Sequence, residues 1–99
     1  MKILIKNIVK KLIIKKLKIS VAESCTGGWL GQAITSVPGS SKWFGSSFVT
    51  YSYSAKSKIL GVSTKDLEKF GAVSEEIVKQ MVTGLIDITE ANVGVAISG

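Results

Sequence analysis

The chain has 99 residues, 45% of them hydrophobic, which allows one domain and excludes a disordered polymer. It carries one cysteine, no histidine and no arginine, which removes disulfide frameworks, Cys- and His-based zinc sites and every His-based mechanism. The net charge of +6 is concentrated: residues 1–18 hold seven of the thirteen lysines and no acid, leaving six lysines against seven acids, so no nucleic-acid groove is expected.

Residues 1–18 mix Ile, Leu and Val with Lys, and Ile5, Ile8, Val9 and Leu12 share one helical face while Ile13 and Ile14 fall off it. This predicts a basic amphipathic helix packed on the domain, with lysine stems covering apolar surface. A membrane-surface helix is the weaker alternative. Lysines interrupt the segment too often for a membrane span, and it lacks the apolar run and cleavage site of a signal peptide, so a cytoplasmic protein is expected.

Ile19–Glu23 reads as a strand, Ser24-Cys25-Thr26-Gly27-Gly28 as a tight turn, and Trp29, Leu30, Ala33 and Ile34 as one face of a helix. Pro38-Gly39-Ser40-Ser41 is a turn, and Ser47–Tyr53 alternates as a strand. A short helix is expected over Ala55–Leu60, and another starting at Ser63 with a capping box to Asp66. Ser74 caps a longer helix whose core face is Ile77, Val78, Met81, Val82, Leu85 and Ile86. Val93–Ile97 is a second strand of the buried type. Strands alternating with helices imply an α/β fold, read as one domain over residues 1–99.

Ligands of α/β folds sit at the carboxyl ends of strands, where a complete enzyme normally continues through a loop. The chain ends at Gly99 directly after its last strand, so it is expected to be truncated. An uncovered apolar strand at a sheet edge also predicts a homo-oligomer.

Ser24–Gly28 leads from a strand into a helix. Such turns present free N–H groups to a phosphate, a carboxylate or a developing oxyanion, and Gly27 and Gly28 allow close approach. A tight connection capped by Ser or Thr explains the same residues equally well. Without His, a nucleophilic Ser24 needs Lys, Glu or Tyr as its base. Glu23 should point to the opposite face of the strand, which favours Lys56 at the same sheet end; an ordinary solvated helix lysine is the alternative. Cys25 is either a nucleophile with a depressed pKa or, more commonly, a small core residue. Trp29, Trp43 and Phe44 are expected in the core. Ser40 and Ser41 either help to bind phosphate or form a polar turn.

Five linked segments carry a resemblance: Ala22–Gly28, Pro38–Ser41, Val49–Ser52 with Ala55-Lys56, Gly71–Ser74 and Ala96–Gly99. In this order they resemble the CinA C-terminal domain family, the nicotinamide-nucleotide amidohydrolases. The resemblance implies a three-layer α/β/α sandwich, present here as an incomplete copy lacking the last strands and helix. It implies hydrolysis of the carboxamide of nicotinamide mononucleotide to nicotinate mononucleotide and ammonia, with no metal or redox cofactor and a small-molecule nucleotide as partner. By the same resemblance Ser24 is the nucleophile and Lys56 the general base. Tyr53 assists proton transfer, with Tyr51 as second choice. Cys25, Thr26, Gly27 and Gly28, with Ser40, Ser41 and Tyr51, contact substrate, and N–H groups around Cys25–Gly27 form the oxyanion hole. The family's further loop, strands and helix supply other substrate contacts, so a non-catalytic nucleotide-binding remnant is the alternative function.

Overall fold

A computed structural model describes residues 2–99. Met1, the first residue of the expected leading segment, lies outside the described residues. Helix α1 (Lys2–Lys15) precedes strand β1 (Ile19–Glu23) and helix α2 (Trp29–Thr35). A 3₁₀ turn (Ser40–Lys42) leads into β2 (Phe44–Val49), α3 (Tyr53–Leu60), α4 (Thr64–Phe70), α5 (Glu75–Ile88) and β3 (Val93–Ile97). The three strands form a parallel sheet in the order β2-β1-β3.

All five residues of β1 are buried, as a central parallel strand covered on both faces requires. Its side chains alternate between two cores. Ile19 and Val21 join Ile5, Val9 and Leu12 of α1, Ile34 of α2 and Trp43. Ala22 joins Leu60, Val62, Leu67, Ile77, Met81 and Leu85, contributed by α3, α4, α5 and their connections. The chain is therefore an α/β structure with a helical layer on each side of the sheet.

Within α1 the packed stripe is narrower than the sequence pattern, because Ile8, like Ile13 and Ile14, is exposed. Likewise Ile77, Met81 and Leu85 are the buried residues of α5, whereas Ile86 is exposed. The residues of β3 are half-buried, not buried, since this strand pairs only with β1 among the described residues.

The second strand differs in position from the expected Ser47–Tyr53. It starts at Phe44, and its ladder ends when Thr50 donates its N–H to the Glu23 carbonyl at 2.8 Å. The Ser52 hydroxyl then accepts from the Ala55 N–H at 3.0 Å, so Ser52 caps a helix that begins at Tyr53 and not at Ala55. The expected capping box at Ser63 is also modified. Ser63 Oγ accepts from the Asp66 N–H, but the Ser63 N–H donates to Gln80 Oε1 on α5, and Gln80 Nε2 donates to Asp66. A tertiary bridge thus replaces the local return bond.

Candidate active site

Ser24 leaves the carboxyl end of β1 still tied to the sheet, its N–H donating to the Ile97 carbonyl at 3.0 Å. The chain then tightens: the Gly27 N–H donates to the Ser24 carbonyl and the Trp29 N–H to the Thr26 carbonyl, both at 3.1 Å. Gly27 (φ 60°) and Gly28 (φ 108°) occupy the positive-φ region that this turn needs. The hydroxyl of Ser24 emerges on the face covered by α3, α4 and α5.

Lys56 reaches the same point from α3. It is fully buried, which excludes the solvated-lysine reading. Its ammonium group donates to Ser24 Oγ at 2.9 Å, to the Thr50 carbonyl at 2.8 Å and to the Tyr51 carbonyl at 2.9 Å. Three donors on one nitrogen meet three acceptors, so the amine has a single orientation. Burial pushes the Lys56 pKa down from its ordinary 10.5, and the neighbouring Cys25 opposes that shift. The neutral amine keeps two N–H bonds for the two carbonyls, and its lone pair then faces the Ser24 hydroxyl. This is the arrangement a lysine base requires.

Glu23 points the other way, as the strand period demands. It too is fully buried. Its carboxylate accepts from Thr26 Oγ1 at 2.6 Å, from the Leu30 N–H at 2.8 Å and from the Gly31 N–H at 2.9 Å. Burial alone would raise its pKa; bonds from Thr26, Gly31, Leu30 and Gly28 outweigh burial and hold it below 4.5. The first turn of α2 is consequently occupied by a carboxylate of the chain itself and is not open to an external anion. Among the described residues, the N–H groups of Cys25 and Thr26 donate no hydrogen bond, whereas that of Gly27 is spent inside the turn.

The other expected site residues fall in different places. Cys25 is exposed beside Ser24, and not in the core. Trp43 is buried as expected, but Trp29 is exposed at the start of α2. Tyr51 and Tyr53 lie next to the pair in sequence, yet their side chains are 69% and 47% exposed. Among the described residues neither phenol bonds to Ser24 or Lys56, and Tyr51 contributes its carbonyl instead. Ser40 and Ser41 precede β2, at the end of the sheet where Ile19 donates to the Trp43 carbonyl. That is a strand length of about 16 Å from Ser24, so one copy of the chain does not bring them together with it. Thr50 is a contact the sequence did not single out: a carbonyl acceptor leaves no side-chain signal.

The family model of the CinA C-terminal domain matches residues 1–99. The chain belongs to the CinA C-terminal domain family. The nicotinamide-nucleotide amidohydrolase PncC of Enterobacter agglomerans is 51% identical over 81 residues, covering 82% of this chain and 49% of the relative. Its namesake in Escherichia coli K12 is 47% identical over the same shares. The crystal structure of the competence/damage inducible protein CihA from Agrobacterium tumefaciens superposes with a TM-score of 0.96 at 41% identity, covering 99% of this chain and 59% of that one. The chain thus spans about half the length of the curated PncC relatives it matches. No helix among the described residues is long and apolar enough to cross a membrane.

Proposed function

We propose that Ser24 and Lys56 form the nucleophile–base pair of an amidohydrolase acting on the carboxamide of nicotinamide mononucleotide. The observation that carries this reading is the 2.9 Å contact between Lys56 Nζ and Ser24 Oγ, with both side chains buried. Neutral Lys56 takes the Ser24 proton as Oγ attacks the carboxamide carbon. The oxygen of the tetrahedral adduct gains negative charge, and the unspent N–H groups of Cys25 and Thr26 are the donors for it. The C–N bond then breaks, Lys56 returns the proton to the leaving nitrogen, and ammonia departs. Water attacks the acyl–Ser24 ester with Lys56 again as base, releasing the carboxylate product. Tyr53, or Tyr51 as second choice, assists these proton transfers by turning its exposed ring toward the pair. A phosphorylated nucleotide in the cytoplasm is the substrate of this reading.

The test is ammonia release from nicotinamide mononucleotide. Ser24→Ala is expected to remove it, while Cys25→Ala keeps most of it, because the Cys25 contribution is its main-chain N–H. Activity that survives Ser24→Ala and is lost in folded Cys25→Ala reverses the assignment. Ligand binding without Ser24-dependent turnover favours a nucleotide-binding module.

The same reading includes self-association. Val93, Val95 and Ile97 on β3 are only half-buried at the sheet edge, and an open apolar edge pairs readily with another chain. Sedimentation velocity is expected to show concentration-dependent oligomers; a monodisperse monomer at all concentrations refutes this.

A further inference from the structure

The strand ISVAE ends on an acid that the Ser24–Lys56 chemistry does not use. Glu23 and Ser24 are adjacent in sequence but face opposite sides of the sheet. Each anchors one side of the same turn, Ser24 to Lys56 and Glu23 to Thr26, Leu30 and Gly31. A fourth donor, Ser47 Oγ on β2, lies 3.4 Å from the same carboxylate.

We propose that Glu23 is a positioning residue: its carboxylate clamps the turn from behind, so that Ser24 Oγ stays on Lys56 and the Cys25 and Thr26 N–H groups stay free for the reacting oxygen. This rests on the amidohydrolase reading for its catalytic consequence, though the clamp itself is a property of the fold. Each carboxylate oxygen accepts at least two hydrogen-bond approaches, with Thr26 and Leu30 on one oxygen and Gly31 and Ser47 on the other. A carboxylate satisfies this set because it only accepts. An amide of the same shape has one accepting atom, and its NH₂ would face an N–H or O–H donor. The clamp also has a consequence for substrate. The α2 amide donors already hold a negative charge, so the phosphate of a nucleotide must be met elsewhere, by lysines or hydroxyls.

Two variants test the clamp independently. Glu23→Gln keeps the shape and loses the second acceptor. Thr26→Val keeps Glu23 and removes the 2.6 Å bond to it. In each, kcat for ammonia release is expected to fall about 10- to 100-fold, the scale of an ångström-sized misplacement, with KM within about threefold of wild type. Amide hydrogen exchange at Gly27, Leu30 and Gly31 is expected to accelerate, while Ile77–Leu85 in α5 keep wild-type rates. If Glu23→Gln fails to fold, Thr26→Val carries the same readouts. A folded variant with wild-type kcat, or with its loss in KM alone, overturns the proposal, as does unchanged exchange in the turn. Faster turn exchange in both variants, with no Ser24-dependent turnover in the wild type, supports the clamp and overturns the amidohydrolase reading.

Discussion

Lys56→Arg is expected to lower ammonia release by about 10²–10⁴-fold, the contribution of a well-placed general base. Arginine preserves the positive charge and can still donate to the Thr50 and Tyr51 carbonyls, but it does not become neutral at any working pH. An electrostatic role would therefore survive the substitution, and a base role would not. The pH dependence adds a second readout. Burial lowers the Lys56 pKa below 10.5, so wild-type kcat should rise with pH through that lowered value, and the residual rate of Lys56→Arg should lack this rise. Stability follows the same sign. The unfolded chain holds the Lys56 proton up to about 10.5 and the folded chain releases it earlier, so folding is favoured as pH climbs through the window and is penalised as pH falls through the folded value. Lys56→Met, which has nothing to titrate, is expected to flatten this part of the stability profile and to be inactive as well. Near-wild-type turnover in folded Lys56→Arg would show that the amine holds the turn and moves no proton.

The sequence carried some parts of this site plainly and others not at all. The strand, small residues and paired glycines around Ser24 mark a tight strand-to-helix turn, but a plain capped connection has the same pattern, and the family resemblance is what points to Ser24 as nucleophile. The absence of His left Lys56 as one of several candidate bases beside an ordinary solvated lysine, and the family resemblance is what singled it out. The opposite facing of Glu23 followed from the two-residue period of a strand, but its bonds to Leu30 and Gly31 did not. They depend on how the turn folds back, a geometry set by positive φ at Gly27 and Gly28 and not by any pattern of polarity. Thr50 and Tyr51 have strand propensity, but the local Ser52 cap starts α3 at Tyr53 and ends β2 at Val49, earlier than the pattern of the side chains suggests. Residue type alone points to the core for Trp29 and, as the commoner of its two readings, for Cys25. Both sit on the exposed side of the turn, where burial is decided by direction and not by hydrophobicity. Ser40 and Ser41 share the family's motif order with the site, but linear order does not say which end of a sheet a turn occupies.

Gly84→Ala is expected to be the most destabilising single-methyl change in the chain. Helix propensity alone predicts the reverse, a gain of about 1 kcal/mol for alanine inside a helix. The packing decides against it. A Cβ at residue 84 would overlap the Leu60 carbonyl oxygen and lie 2.8 Å from its carbon and 3.1 Å from the Leu60 Cα. These are main-chain atoms at the end of α3, so no rotamer change relieves the overlap. An ordinary carbon–oxygen contact is about 3.3–3.6 Å, so α3 and α5 must move apart to admit the methyl group. That separation opens the core built by Leu60, Ile77, Met81 and Leu85. Overpacking costs typically about 1–3 kcal/mol, and a backbone-to-backbone clash belongs at or above the top of that range. For a domain of this size about 3 kcal/mol corresponds to a Tm lowered by roughly 12–24 °C, read by far-UV circular dichroism. Gly94→Ala is the control. Its Cβ meets side-chain atoms only, Ile86 Cδ1 at 2.9 Å, Val82 Cγ2 at 3.1 Å and Ile86 Cγ1 at 3.2 Å, which can give way where main-chain atoms cannot, so the loss should be smaller. Equal losses in the two variants would mean that the approach of α3 to α5 is not what Gly84 protects. The consequence reaches the site, because Lys56 lies one turn before Leu60 on the same helix. Any Gly84→Ala protein that folds should therefore also hold its amine away from Ser24 and lose ammonia release, although residue 84 touches neither group.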